Sequence, residues 1–304
     1  MITRRLLSLP GLDGLDIPYF DIEGRGDGPR LTVLAGVHGA EYASIAAVRE
    51  FVRDLDVSAV SGRIVAVPLL NVPGFWARTP FVVPADGKNL NRSFPGDPHG
   101  TFTEVLAHHV FTTFVLGSDY LVDMHAGDLP EALEPFTMFE ASPVEEVSLD
   151  LALAYGAGHI VRQVAVERTV AGSTAAAAAD AGIPAVIAES GQNGLLDRAA
   201  VDRHLAGLTN IARSIGVLDG DPWPVRDARR HEGWHWLRTD QAGWWQPAVT
   251  VGEAVPAGGL LGTMSDVWGE VFAEVRAPEA GTPLFLTSSP AVSADGLLLG
   301  LARD

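Results

Sequence analysis

Cysteine is absent from this 304-residue sequence, and lysine occurs once, at Lys88. Without cysteine there is no disulfide framework and no thiolate ligand, so a bound metal would depend on histidine and carboxylate groups. The N-terminal stretch carries arginines, but Pro10 and Asp13 interrupt its apolar run, which is untypical of a signal peptide. We therefore expect a cytoplasmic protein.

Long hydrophobic runs and an excess of positive charge are also missing. No apolar stretch approaches the about 20 residues that a membrane-spanning helix needs. The sequence has 38 acidic and 21 basic residues, and its formal net charge of −17 repels nucleic-acid phosphates and anionic lipid head groups. We therefore expect no nucleic acid and no membrane as partners. The hydrophobic fraction of 47% predicts a globular chain with a sizeable core.

Four apolar runs have the pattern of buried strands, and small or polar residues follow each of them. They lie within residues 31–41, 63–71, 120–128 and 183–194. Helical patterns occur between them, from about residue 41 to 55, over 103–116 and over 173–182. Strands that alternate with helices predict an α/β fold with a mostly parallel or mixed sheet flanked by helices.

The character of the sequence changes after about residue 225. The segment DPWPVRD has the composition of a linker, and short β-like pieces separated by glycine, proline and aspartate follow it. Five of the seven tryptophans lie in this part. We therefore predict two domains, an α/β domain over residues 1–225 and a small all-β domain over residues 226–304.

Four side chains with metal and acid–base chemistry fall at predicted strand ends, where the ligand sites of open α/β sheets lie. His38 and Glu41 are three residues apart in HGAE, and His125 follows another strand. Two histidines and one glutamate leave a fourth position open, as in catalytic zinc sites, so we expect one Zn²⁺ per chain. Glu189, at the rim of the sheet, is the candidate base that activates water.

The loop DGKNLNRSFPG supplies candidate substrate-binding groups. The guanidinium of Arg92 can hold a substrate carboxylate by two parallel hydrogen bonds, and the Asn91 amide can add a third. Asn89, in the same loop, is assigned to substrate binding with them. Arg78 lies in the preceding segment and is a candidate for polarising the scissile carbonyl.

Each of these features also has an ordinary structural explanation. The HxxE pair can be a solvated helix face, His125 a satisfied core histidine, Glu189 a helix cap, and NLNR an Asx turn with a surface arginine. Their shared placement after strands or in a glycine-rich loop favours a single site. Asp123 either orients a ligand histidine or makes a core hydrogen bond. The remaining histidines are expected to be structural or exposed, namely His99, His108, His109, His159, His204, His231 and His235.

The segments GVHGAEYASIAA, DGKNLNRSFPG, DMHAG and AESG together resemble the succinylglutamate desuccinylase and aspartoacylase family, relatives of the zinc carboxypeptidases. The resemblance covers about the first 225 residues. It implies hydrolysis of the N-acyl bond of a small amino acid, with zinc on His38, Glu41 and His125 and with Glu189 as the base. It also implies that Asn91 and Arg92 bind the substrate carboxylate.

Two further points qualify the resemblance. Aspartoacylase and succinylglutamate desuccinylase carry a second arginine shortly before the Asn–Arg pair, whereas this sequence reads FVVPADGK there. Only the more distant Arg78 remains for the role of that arginine, and the acyl-group preference of those two enzymes cannot be carried over. The tail resembles a biotinyl/lipoyl-like barrel but lacks lysine, which excludes a carrier function. Its tryptophans would pack its core or cap the active site, and a cap would admit only small substrates.

The sequence thus favours a zinc-dependent deacylase of a small N-acyl amino acid. A metallocarboxypeptidase acting on short peptides remains an alternative, as does a non-catalytic metal-binding homologue. The sequence leaves open whether the chain forms a homo-oligomer. Asp128, Glu131 and Glu134 follow His125 and either attract a substrate with an extra amine or form a solvated loop.

Overall fold

A computed structural model describes residues 1–12, 14–164, 171–224 and 227–304. The strands in this part of the chain are β1 Ile2–Ser8, β2 Asp16–Glu23, β3 Arg25–Ala35, β4 Ser61–Val67, β5 Tyr120–His125, β6 Glu131–Leu133, β7 Phe136–Glu140, β8 His159–Gln163, β9 Ala185–Glu189, β10 Arg229–Glu232, β11 Trp234–Arg238, β12 Gly243–Pro247, β13 Leu260–Ser265, β14 Val271–Arg276, β15 Gly281–Thr287, β16 Ala291–Val292 and β17 Leu297–Arg303. The α-helices are α1 Tyr42–Asp54, α2 Val72–Ala77, α3 Phe102–Val110, α4 Glu145–Tyr155, α5 Thr174–Asp180 and α6 Arg198–Ser214.

A nine-stranded mixed sheet with the order β1-β2-β4-β3-β5-β9-β7-β8-β10 forms the centre of the molecule. The four strands predicted from apolar runs are β3, β4, β5 and β9, and they lie next to one another in parallel. The β1–β2, β2–β4 and β7–β9 pairs are antiparallel, whereas β8 lies parallel to both β7 and β10. The predicted α/β fold with a mostly parallel or mixed sheet is therefore confirmed.

Helices cover both faces of this sheet because its central strands are apolar on both sides. On one face α1, α4 and α6 bury an apolar stripe against the strands, for example Ala43, Ala47 and Val48 of α1. On the other face α3 and α5 contribute Leu106 and Ala178 to a second core. The sheet is thus fixed from both sides, which holds the ends of its strands in place.

The predicted helices form with small differences at their ends. Helix α5 begins where the Ser173 hydroxyl accepts a hydrogen bond from the Ala176 amide at 3.1 Å. The segment predicted as one helix over 103–116 instead divides at Val110, and a π-helical turn, Phe111–Val115, follows α3. Helix α3 begins at a capping box formed by Thr101 and Glu104.

The C-terminal part forms two four-stranded sheets, with the orders β11-β17-β15-β6 and β14-β13-β12-β16. A third apolar core that includes Trp245 and Leu261 lies between them. Two pairings tie this part to the rest of the chain: β10 continues the large sheet beside β8, and β6 adds to the edge of β15. The predicted boundary between residues 225 and 226 lies outside the described residues, and the two-domain division with its barrel remains a prediction.

Within the described residues, no helix is both long and apolar enough to cross a membrane.

Candidate active site

Three adjacent parallel strands bring the candidate catalytic residues to one edge of the large sheet. His38 lies in the turn that follows β3, Glu41 is the N-cap residue of α1, and His125 and Glu189 are the last residues of β5 and β9. His125 and Glu189 are direct partners in the β5–β9 register. Since parallel strands end at the same edge, the four side chains share one site.

The turn after β3 requires glycine at position 39. A Cβ atom there would lie 2.2 Å from the backbone nitrogen of Phe75, in helix α2. A contact that short is not tolerated by any other residue type. Gly39 therefore lets the turn pack directly on α2, which fixes His38 between two helices.

His38, Glu41 and His125 form a compact set of metal-ligand groups. Glu41 Oε1 lies 2.6 Å from His38 Nδ1, and Glu41 Oε2 lies 3.0 Å from His125 Nδ1. One ligand atom from each residue lies within 4.8 Å of the others, and all three side chains are buried. Two imidazoles and a carboxylate at this spacing match the donor set of a catalytic zinc site.

The far ring nitrogen of each histidine is held by a neighbouring side chain. Asn89 Oδ1 accepts a hydrogen bond from His38 Nε2 at 3.0 Å, and Asp123 Oδ2 accepts one from His125 Nε2 at 3.0 Å. These contacts assign the proton to Nε2 in each ring and leave Nδ1 to face Glu41. Of the two interpretations of Asp123, the geometry matches the one in which it orients His125.

Glu189 presents a carboxylate oxygen without a partner. Its Oε2 atom is buried and accepts no hydrogen bond from any described residue. Burial raises the pKa of Glu189 to about 8, against the lowering effect of His125, and the charges of Glu41 and Asp123 add to the rise. A carboxyl group with this pKa exchanges protons near neutral pH.

The loop with the Asn–Arg pair lies beside the metal-ligand groups. Asn91 is buried, and its Oδ1 accepts a hydrogen bond from the Thr174 amide at 3.1 Å. Arg92 is exposed, and its Nη1 donates to the Asn91 carbonyl at 2.8 Å. Asn89, Asn91 and Arg92 all line the cavity that contains His38, His125 and Glu189.

Arg78 does not reach this cavity. It is the left-handed C-cap residue of α2, with a φ of 54°, and its side chain is exposed. It lines a separate surface cavity with Tyr42 and Arg49. The structure therefore does not bring Arg78 to the other predicted site residues.

The cavity has a volume of about 680 Å³, within the range of small-molecule sites. Part of its wall comes from the C-terminal strands, through Trp234, Trp236 and Arg238 of β11 and Phe285 of β15. Arg238 donates to the Asp295 carbonyl at 2.7 Å. The tryptophans of the tail were expected either to pack its core or to cap the active site, and Trp234 and Trp236 line the cavity. No local motif marked Arg238 and Phe285, because they reach the site only through the pairing of distant strands.

The acidic residues after His125 have different positions. Glu131 lines the cavity, and its Oε2 accepts a hydrogen bond from the Asp128 amide at 2.7 Å. Asp128 is buried and binds the amides of Phe81 and Leu129. Glu134 does not line the cavity. These residues are therefore not a solvated loop as a group, and Glu131 alone among them faces the site.

His204 is a structural residue that the sequence did not connect with the site. It is fully buried in α6, and its Nε2 donates to the carbonyls of His125 at 2.9 Å and Ser190 at 3.0 Å. Its Nδ1 accepts a hydrogen bond from the Tyr155 hydroxyl at 2.9 Å. Burial lowers the pKa of His204 to about 4, which keeps the ring neutral in this role.

Known proteins resemble this chain in sequence. Residues 27–215 match the model of the succinylglutamate desuccinylase/aspartoacylase catalytic domain. The chain is 28% identical over 252 residues to N-alpha-acetyl-L-2,4-diaminobutyric acid deacetylase of Halomonas elongata. This match covers 80% of this chain and 72% of that protein.

Solved structures share the fold over the whole chain. A succinylglutamate desuccinylase/aspartoacylase from Rhodobacter sphaeroides is 25% identical, with a TM-score of 0.87, and the match covers 100% of this chain and 95% of the other. The product-bound ectoine utilization protein EutE (DoeB) from Ruegeria pomeroyi is 24% identical, with a TM-score of 0.89 and the same two coverages. The C-terminal sheets are therefore included in the shared architecture.

Proposed function

Because this chain belongs to the succinylglutamate desuccinylase/aspartoacylase family, we propose that it hydrolyses the amide bond of a small N-acyl amino acid. In this proposal His38, Glu41 and His125 hold one zinc ion, and Glu189 transfers the proton. Membership of the family, with relatives named as deacetylase, desuccinylase and aspartoacylase, confirms the prediction of an amidohydrolase.

One observation carries the proposal. A set of three metal-ligand side chains, with ligand atoms within 4.8 Å of one another, shares a cavity with Glu189. The buried Oε2 atom of Glu189 has no hydrogen-bond partner in the part of the chain that the structure describes. The donor set fits zinc, and the hydrogen bonds from Asn89 and Asp123 keep both imidazoles turned toward Glu41. A zinc ion held there would polarise the scissile carbonyl and make water acidic enough to attack near neutral pH.

Glu189 accounts for the movement of protons in this reaction. Its free Oε2 accepts a proton from the attacking water as the new C–O bond forms. When the C–N bond breaks, the same carboxyl group returns this proton to the nitrogen of the leaving amine. The products are the carboxylic acid and the free amino acid, so Glu189 ends in its starting state.

Arg92 and Asn91 would position the substrate. One guanidinium nitrogen of Arg92 donates to the Asn91 carbonyl, and among the described residues the other two have no hydrogen-bond partner, so we assign them to a substrate carboxylate. The walls contributed by β11 and β15 support a small substrate over a peptide, because a polypeptide needs an open side through which to leave. We therefore keep the deacylase proposal ahead of the carboxypeptidase alternative.

The experiment that tests this function measures release of the free amino acid by the full chain from a panel of N-acyl amino acids. A zinc chelator should abolish the release, and added zinc should restore it. His38→Ala should lose both zinc and activity, whereas the exposed His99→Ala serves as the matched control and should keep both. Undiminished hydrolysis by zinc-free protein would contradict the proposal.

A further inference from the structure

Four aromatic rings form a continuous wall along one side of the cavity. They are Phe136, Trp234, Trp236 and Phe285, and we call them the aromatic wall. Successive ring centroids lie 5.3 Å, 5.1 Å and 5.7 Å apart in that order. These separations are those of favourable aromatic pairs, so the four rings support one another as a unit.

The aromatic wall begins next to the reacting groups. Phe136 of β7 is the direct antiparallel partner of Glu189 on β9. Side chains of directly opposed residues lie on the same face of a sheet, with Cβ atoms about 5 Å apart. Two residues further along, Met138 and Ile187 form the next pair on that face, and both also line the cavity. A substrate group that extends from the scissile bond past Glu189 therefore meets the aromatic wall.

The rings of the aromatic wall are largely buried and themselves carry few polar atoms. Phe136, Trp234 and Phe285 are 5%, 4% and 7% exposed. The indole nitrogen of Trp234 donates to the sulfur of Met138 at 3.4 Å, a weak acceptor. A charged or strongly polar substrate group would lose its hydration here without equivalent hydrogen bonds. An apolar group would gain by leaving water.

Two cationic side chains also line the cavity. Arg92 and Arg238 are both exposed and both line the cavity. The cavity thus combines exposed cationic groups with an aromatic wall that begins beside Glu189.

We propose that the aromatic wall binds an aromatic ring of the substrate, so that the preferred substrate is an N-acyl amino acid with a ring-bearing group. The proposal rests on the proposed function and makes it more specific. Flat rings stack on or against Trp and Phe faces, and such contacts add to the gain from burying apolar surface. The ring can belong to the amino-acid side chain or to the acyl group, and the substrates below separate these two sources.

The first test compares substrates with the wild-type chain. N-acetylphenylalanine carries the ring on the amino acid, N-phenylacetylalanine carries it on the acyl group, and N-acetylalanine has none. We expect kcat/KM for one of the two ring-bearing substrates to exceed that for N-acetylalanine by about a hundredfold, since each methylene or its equivalent contributes about tenfold or more. The favoured substrate identifies the source of the ring.

The second test uses a matched pair of tryptophan variants. Trp236→Leu removes a ring from the aromatic wall, whereas Trp244→Leu removes one from β12 that is 48% exposed and does not line the cavity. The ratio of kcat/KM for the favoured ring-bearing substrate to that for N-acetylalanine should fall about tenfold in Trp236→Leu. The same ratio should be unchanged in Trp244→Leu.

A third measurement needs no variant. L-phenylalanine, or phenylacetate if the acyl group carries the ring, should inhibit the wild-type enzyme at a concentration at least about tenfold lower than L-alanine or acetate. Equal inhibition by the matched compounds would overturn the proposal. It would also be overturned by faster hydrolysis of N-acetylalanine or of N-acetyl-2,4-diaminobutyrate than of both ring-bearing substrates. Failure to hydrolyse any N-acyl amino acid would instead remove the proposed function, and the aromatic preference with it.

Discussion

Asp123 and His125, two residues apart on β5, form a buried pair in which Asp123 Oδ2 lies 3.0 Å from His125 Nε2. Both side chains are almost fully buried. Asp123 Oδ2 is also bound by the Thr174 hydroxyl, so helix α5 holds the carboxylate from the other side. His125 is therefore fixed with Nδ1 toward Glu41, which is the orientation that the proposed zinc ligand needs.

Removing this support should weaken metal binding. Asp123→Asn replaces the charged acceptor of His125 with a neutral amide, and loss of such a partner typically lowers metal affinity 10- to 100-fold. Competition with a fluorescent chelator measures the zinc dissociation constant. Asp150→Asn, an exposed carboxylate on α4, is the control and should leave the constant unchanged. Equal zinc affinity in both variants would show that Asp123 does not orient a ligand.

His204, which is bound to the backbone of the site, should stabilise the folded protein. His204→Leu removes the side-chain donor to the Ser190 carbonyl and one of the two donors to the His125 carbonyl, which keeps the Ser190 amide. We expect the free energy of unfolding to fall by about 1–3 kcal/mol. Tyr155→Phe removes only the hydroxyl that donates to His204, and should cost about 1 kcal/mol. Urea unfolding of both variants measures the difference. A His204→Leu protein as stable as the wild type would contradict this account.

A second pair of histidines predicts how stability depends on pH. His159 Nδ1 and His231 Nε2 lie 3.0 Å apart where β8 pairs with β10, and burial together with the charge of His159 lowers the pKa of His231 to about 4. The folded state thus binds fewer protons than the unfolded state between pH 6.5 and about 4. The stabilisation that comes from keeping His231 neutral is complete above pH 6.5. Below pH 6.5 the free energy of unfolding should fall by up to about 1.4 kcal/mol per pH unit.

The measurement is the free energy of unfolding at several pH values between 6.5 and 5, where most carboxylates remain ionised. His231→Phe cannot bind the extra proton in either state, so its stability should decrease less steeply over this interval than that of the wild type. Identical slopes would show that His231 does not contribute.

Substrate binding should depend on Arg92. Arg92→Met removes the guanidinium from the cavity, and loss of a charged hydrogen bond to the substrate carboxylate should raise KM about 10- to 100-fold. Arg230→Met, on the exposed edge strand β10, is the matched control and should keep the wild-type KM. Steady-state kinetics of both variants with an N-acyl amino acid measures KM. An unchanged KM in Arg92→Met would exclude Arg92 from binding the substrate carboxylate.

The sequence could predict the parts of the site that short motifs carry. His38 and Glu41 are neighbours within one turn, and His125 and Glu189 end strongly apolar strands, so their placement follows from local pattern and from the rule for α/β sheets. The large sheet was predictable for the same reason. Strands β1 and β2 were not, because their half-exposed residues lack a clear apolar run.

The rest depends on contacts between distant segments. Phe136 and Trp234 are almost a hundred residues apart and lie in different sheets, and their rings meet only in the folded chain. Arg78 is near the Asn–Arg loop in sequence, but the left-handed end of α2 directs the chain so that its side chain lines another cavity. No residue-level pattern encodes either outcome.

The proposed role of Glu189 allows the most direct test. Glu189→Gln keeps the size of the side chain but cannot take up the proton, so zinc content should stay at about one ion per chain while kcat falls by about 10²- to 10⁴-fold. Glu146→Gln, an exposed glutamate at the start of α4, is the control for the substitution and should match the wild type. The account predicts a zinc-loaded, nearly inactive Glu189→Gln enzyme; a zinc-loaded variant with wild-type kcat would contradict it.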